Sequence, residues 1–396
     1  MRGKPVDLEL TSDRAVQPAS ARYSFLRVLA HLRGRPVGQF DVGNDEALAP
    51  PALRARAVRD LEESTWRALL VDDLAGSAPG GVEDAERMSV VVCTRNRAEL
   101  LEGCLAALER QTHPAYDVVV VDNAPDNDST REVCARFDVR HVVEPRPGLD
   151  WARNRGLAAV DAPLVAYIDD DARPDREWLV RLAAAFDAPD VTAATGLVAP
   201  DELETGAQLL FEDGYWGMGK GFEPRLFTRR GWKRMTYTPH ECGVGCNMAF
   251  RTGALQRLGG FDPALDVGTP TGGGGDLDVF QRILESSGVI AYRPDAVVRH
   301  KHRRTWAALK RQLYDNGRAY SAMLWAALLR ARGRNRLGVV AAYWRWIWRH
   351  HARRIGRRLL RRDESLPLSF LFAELRGAPL GPILYTRARR RARQLT

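Results

Sequence analysis

Three adjacent carboxylates, Asp169, Asp170 and Asp171, follow the apolar run 164–168 and are closed off by ARPD. Adjacent like charges repel one another, and a protein core cannot hold them unpaired. They belong at the carboxyl end of a strand, in a cleft or at the surface, where a divalent cation is the natural neutraliser. Hard oxygen ligands suit Mg2+ or Mn2+. A solvated acidic turn explains the triplet equally well when it is taken alone, so the rest of the chain must decide.

Other polar residues sit at comparable places. Thr94, Arg95 and Asn96 follow SVVVCT, and Asp122 and Asn123 end YDVVVVDN. Arg153 and Arg155 lie near the start of a helical stretch, where they would meet an anionic group. Asp276 and Asp278 follow Gly272 to Gly275, and as first-turn acids they would favour the helix dipole. His300 and His302 follow an apolar run; at strand spacing they would point to opposite faces, so at most one would enter a site.

The elements that must position these residues alternate. Apolar strands are expected at 89–94, 116–123, 139–144, 164–168 and 191–198, with helices at 96–111, 128–137, 148–160 and 175–186 between them. Such alternation indicates βαβ units and a mostly parallel sheet covered by helices on both faces. In such sheets ligands bind outside the carboxyl ends of the strands, where the polar residues gather. Two further strands are expected within 289–306.

The order VVVCTRNRAELLEGCLAALERQ, VVVVDN, GLDWARNRGL, AYIDDDARP resembles family 2 glycosyltransferases, which have the GT-A fold. The similarity covers 89–198 and continues through GGFD to about residue 320. It implies a nucleotide-sugar donor, a UDP-sugar first among the choices, and an inverting single displacement onto an acceptor hydroxyl. By the same resemblance Thr94 and Asn96 lie against the nucleoside, Asp122 accepts from uracil N3–H, and Arg153 contacts the base or diphosphate. Asp169 and Asp170 hold the ribose and the water shell of the metal, while Asp171 and His300 ligate Mn2+ or Mg2+, with His302 in reserve. Asp276 is the implied general base. Gly275 stands where the family commonly has Glu, which leaves Asp278 as the other candidate. The acceptor is a glycan, a lipid-linked molecule or a small hydroxyl compound. The rival reading is a non-catalytic GT-A-like binding protein with a basic tail for membrane or nucleic acid; the intact set of Asp122, Asp171, Asp276 and His300 argues against it.

The 396 residues divide into an N-terminal accessory region (1–87), a catalytic domain (88–302, with a nucleotide-binding half 88–198 and an acceptor half 199–302) and a basic helical region (303–396). In the accessory region 1–20 reads as unstructured, 23–42 as a hairpin, 51–75 as a helix and 78–87 as a linker. Residues 299–396 hold 25 Lys or Arg against 4 Asp or Glu, so the preceding residues are net acidic although the chain is +9. Arg and Trp interleave in the expected helices 306–329 and 337–362, the pattern of a membrane-surface helix on anionic headgroups; no nucleic-acid recognition motif accompanies the charge. Five scattered cysteines, no signal-peptide pattern and no apolar run of about 18 residues lead to the expectation of a cytoplasmic protein, at the inner face of the membrane, with homo-oligomer formation left open.

Overall fold

The computed structural model describes residues 1–12, 19–44, 50–60, 86–215, 217–229, 237–333, 335–360 and 366–395. Most of the helix expected at 51–75, nearly all of the 78–87 linker and part of the aromatic stretch 200–240 lie outside them.

The catalytic layer starts with β4 (Met88–Thr94), followed by α2 (Ala98–Leu108), β5 (Tyr116–Asn123), α3 (Ser129–Cys134), β6 (Arg140–Glu144), α4 (Leu149–Ala159) and β7 (Leu164–Asp169). These strands pair in parallel in the order β6-β5-β4-β7. All seven residues of β4 are buried, because alternate side chains enter two different cores. Val90 and Val92 pack with Leu101 and Leu105 of α2. Val91 and Cys93 face Leu157 of α4 and the Phe250, Phe261 and Phe280 rings.

The sheet then departs from the parallel pattern. After β8 (Ala172–Pro174), α5 (Trp178–Ala183), β9 (Val191–Pro200), α6 (Gly206–Leu209) and β10 (Arg225–Phe227), strand β11 (Asn247–Arg251) inserts between β7 and β9, antiparallel to both. Next come α7 (Thr252–Arg257) and α8 (Gly275–Glu285). One long strand, β12 (Val289–His300), stands where two were expected; its pairing with β9 is parallel and shifts register between Arg293 and Val298. Pro294 lies in that gap and has no N–H for the ladder. Buried Asn247 satisfies the carbonyls left there, donating to Leu197 O and Ala296 O at 2.9 Å each.

The N-terminal region is a three-stranded sheet, β1 (Gly3–Glu9), β2 (Phe25–Leu32) and β3 (Arg35–Gly43), backed by α1 (Pro50–Asp60). The hairpin is present as expected. Residues 3–9 correct the expectation of an unstructured start: they pair in parallel with β2, and the Gly3 N–H donates to Leu203 O at 2.8 Å. Leu29 packs against Leu197 and Val297, while buried Arg27 is fixed by Asp41 and Asp213, both at 2.7 Å. The module is thereby clamped to β9 and β12.

The C-terminal helices are α9 (Trp306–Arg330), α10 (Asn335–Trp346), a π-helical turn Ile347–Ala352, α11 (Arg353–Leu359), α12 (Leu368–Gly377) and α13 (Gly381–Leu395). The surface helix expected over 306–329 is instead largely buried against α12 and α13. Small residues permit this: a Cβ on Gly317 would strike the Glu374 carbonyl, and one on Gly377 the Tyr314 carbonyl. Among the described residues no helix is long and apolar enough to cross a membrane.

Candidate active site

Two adjoining cavities open at the carboxyl ends of β4 and β7. One, of about 370 Å3, is lined by Thr94, Arg97, Asn123, Asp169 to Asp171 and His300. The other, of about 560 Å3, is lined by Asp150, Arg153, Asp169, Gly245, Cys246 and Asp276, and by residues of the C-terminal helices. They meet at Leu149, Asp169 and Met218, which line both.

The triplet is divided by its partners. Asp170 is 4% exposed; it accepts from the Thr94 hydroxyl at 2.7 Å and from Arg97 at 3.2 Å. Burial pushes its carboxyl up to about 6, against the pull of Arg97. Asp171 Oδ1 lies 3.1 Å from His300 Nε2 and Oδ2 lies 3.5 Å from Arg97. Burial opposes charge on both members of the Asp171–His300 pair, yet their mutual hydrogen bond lowers the carboxyl and raises the imidazole. Asp169 reaches toward the junction of the cavities, 4.0 Å from Arg153. Burial raises its carboxyl, with Arg153 opposing.

The donor set fits a divalent cation. Asp171 and His300 meet through a 3.1 Å hydrogen bond that a divalent cation between them would replace. The buried Nδ1 of His300 has no hydrogen-bond partner. Ligand atoms of Asp169, Cys246 and His300 also lie within 4.8 Å of one another. Burial drives the Cys246 thiol well up, and its soft sulfur suits Mn2+ or Mg2+ less than the hard oxygens do.

The two helix-opening acids are also distinguished. Asp276 lines the larger cavity; Gly245 N–H donates to its Oδ2 at 2.8 Å and Leu277 N–H to its Oδ1 at 2.9 Å. Asp278 is 1% exposed and ion-paired at 2.7 Å with both Arg282 and Arg330, away from either cavity. Gly274 caps α8 with φ +107°, a conformation that glycine adopts without strain.

The remaining expected residues divide between those that line a cavity and those that do not. Asn96 exchanges hydrogen bonds with exposed Asp126. Asp122 is 2% exposed and lines neither cavity; Oδ2 lies 3.3 Å from His141, and Oδ1 is buried without a partner. Arg153 is buried and bonds Asp150 at 3.1 Å, whereas Arg155 is exposed. His302 corrects the alternation argument. It lies beyond the end of β12, so both imidazoles line the smaller cavity, 5.7 Å apart, with His302 held by Glu212 at 2.6 Å.

Three features escaped the motif reading. Arg97 bridges Asp170 and Asp171, and its place three residues after a strand-end Thr was the available signal. Asp150 carries a buried Oδ2 without a partner and fills the space a Cβ on Gly275 would take. Burial and the neighbouring Asp266 hold its carboxyl well above the usual range, against Arg153. The third is a wall of Tyr215, Trp346, His350 and Glu374, which only helix packing brings to the cavity.

A mixed sheet of this order with a crevice at its strand ends is the GT-A architecture of nucleotide-sugar transferases. The fold is similar to that of a mannosyltransferase from Pyrobaculum calidifontis, solved with GDP-Man and Mn2+, at TM-score 0.52 and 18% identity over 80% of this chain and 93% of that one. Residues 89–259 match the description of Glycosyl transferase family 2, and the chain belongs to that family and is a glycosyltransferase. It is similar to a glucosyl-dolichyl phosphate glucuronosyltransferase of Haloferax volcanii, 30% identical over 233 residues, 54% of this chain and 69% of that protein. It is also similar to a pre-mycofactocin glycosyltransferase of Mycobacterium tuberculosis, 29% identical over 262 residues, 64% of this chain. The chain covers only 52% of that mycobacterial protein.

Proposed function

We propose that the protein transfers a sugar from a UDP-sugar to an acceptor hydroxyl in one displacement with inversion, with Asp276 as general base. The observation that carries this reading is the adjacency of two chemically different cavities. One is lined by Asp169, Asp170, Asp171 and His300, the other holds Asp276, and they meet at Asp169. A donor diphosphate lies in the first and an acceptor hydroxyl enters from the second, so attack comes from the side opposite the leaving group.

Asp171 and His300 would hold a divalent cation. When bound, it supplies charge neutralisation at the departing diphosphate. Arg97 and Thr94 fix Asp170, and Asp170 and Asp171 together orient Arg97 toward the same region. Two backbone N–H groups fix the plane of the Asp276 carboxylate, leaving lone pairs free for the acceptor proton. The partnerless Oδ1 of Asp122 supports a donor N–H such as that of uracil. This group needs a small opening beside Asn123, because Asp122 does not line the cavity.

A lipid-linked acceptor is supported by the exposed face of the helix starting at Asn335. Leu337, Val340, Trp344 and Trp348 are exposed at helical spacing, beside exposed Arg349 and Arg353. This is the pattern of a helix lying on an anionic membrane. In this reading the membrane contact expected over helices 306–329 and 337–362 is made by the 335–360 segment. Flotation of the full chain with anionic liposomes at low salt tests it, and the reading fails if Trp344→Ser with Trp348→Ser floats as well as the parent. The transfer reading is tested by release of nucleoside diphosphate from a panel of nucleotide sugars with and without Mn2+.

A further inference from the structure

The family match ends at residue 259, yet the far wall of the larger cavity comes mostly from beyond residue 312. There Glu374 of α12 is 3% exposed; its carboxylate accepts from Tyr215 Oη at 2.7 Å and lies 3.1 Å from His350 Nε2. A buried carboxylate among aromatic rings is costly unless compensated, and an apolar residue would pack that position at lower cost. Tyr215 and His350 supply that compensation and fix the carboxylate at the edge of the cavity it lines.

The surrounding rings form an aromatic wall of the cavity. Trp346 stacks on His350, with centroids 6.4 Å apart and an interplanar angle of 18°, and it meets Tyr320 at 4.8 Å. On the same wall Tyr215 meets His350 edge-on at 6.1 Å and stacks on Phe211 at 5.7 Å. The Tyr215 and His350 sides of this wall are set by π-helical turns, Leu210–Gly214 and Ile347–Ala352. Such turns are rare and frequently mark functional sites, because the extra residue re-aims side chains that an α-helix would direct elsewhere. Tyr215 directly follows the first turn, Trp346 precedes the second and His350 lies within it.

Resting on the transfer reading above, we propose that this end of the cavity binds an uncharged sugar ring of the acceptor. The ring packs its C–H face on Trp346 and Tyr215 and hydrogen-bonds its hydroxyls to Glu374, His350 and Asn316. Sparse polar groups among aromatic faces are what orient such a ligand. Charge selects the class: among the described lining residues from the C-terminal helices, Glu374 is the one carboxylate and none is Lys or Arg. His240 adds no cation, because burial pushes it down to about 3. An acidic sugar at this end is therefore repelled.

Saturation-transfer NMR on the full chain tests the subsite directly, with methyl glycosides of neutral hexoses and of the matching hexuronic acids as probes. At least one neutral glycoside binds, and its Kd rises at least tenfold in Trp346→Ala and in Glu374→Gln. The matching hexuronide binds at least tenfold more weakly to the wild type, and that gap narrows in Glu374→Gln. Trp346 is only partly buried, so its variant is informative even if Glu374→Gln folds poorly. The proposal is overturned if no neutral glycoside binds, if both variants bind it as the wild type does, or if the hexuronide is preferred. Calorimetry with nucleoside diphosphate and Mn2+ on the same samples separates the two ideas. Intact nucleotide binding without the glycoside effect sinks the subsite alone, whereas absent nucleotide binding sinks the transfer reading.

Discussion

Gly275 is packed so closely on the Asp150 carboxylate that no side chain fits at position 275 without displacing Asp150 Oδ2. The acidic group expected one residue before Asp276 is missing from the sequence, and a carboxyl from α4 occupies its place. A coupled response follows. Gly275→Ala should cost about 1–3 kcal/mol, as overpacking of a close-packed site does, and should raise the acceptor KM. In an Asp150→Ala background the same change should cost less than half as much. Thermal unfolding of the four proteins in this cycle measures the coupling, and additive costs would separate the two residues.

Asp171 and His300 are expected to act as one unit. Asp171→Asn and His300→Ala should each weaken Mn2+-dependent binding of UDP at least tenfold, while binding without metal changes little. Calorimetric titration with and without EDTA checks this. Equal losses in both conditions would assign the pair to the nucleotide rather than to the cation.

Asp278 is read as structural. Removing its charge leaves Arg282 and Arg330 facing an uncompensated site, which for a buried pair costs about 3 kcal/mol or more. Asp278→Asn should therefore unfold at lower temperature yet retain transfer at 20 °C or below. A folded Asp278→Asn protein without transfer would move the base assignment by two residues.

His351 supplies a pH-dependent prediction. It is 1% exposed, neither ring nitrogen has a partner, and burial pushes it down to about 4 from an ordinary 6.5. Between these values the unfolded chain binds the proton that the folded chain refuses. Its contribution to stability is therefore present above about pH 6.5 and is lost as pH falls toward 4. His351→Phe keeps a ring beside Trp346 and removes the titration. The variant should melt a few degrees above the wild type at pH 5, with a smaller difference at pH 7.5.

Legibility from the sequence followed the range of the interactions. The gathering of Asp169 to Asp171, Asp276 and His300 at two adjoining cavities was legible because strand ends and helix starts are local features along the chain. The alternation rule misassigned His302 because the strand ends at His300. The antiparallel β11 was hidden because a buried strand looks the same in either direction. The basic helix 306–330 read as a surface element because its charges were legible and its packing was not: only Gly317 against Glu374 and Gly377 against Tyr314 reveal how closely it lies on α12. Tyr215, Trp346 and Glu374 converge from three separate helical segments, and no spacing along the chain encodes that meeting.

The central claim is that Asp276 takes the acceptor proton while the Asp171–His300 side holds donor and metal. The most direct test is acceptor-dependent release of nucleoside diphosphate with Mn2+ present, comparing the wild type with Asp276→Asn alongside nucleotide affinity. The account predicts that release falls by about 10²–10⁴, the usual scale of a lost general base, while the Kd for UDP changes less than twofold. Release at the wild-type rate by a folded Asp276→Asn protein would contradict it.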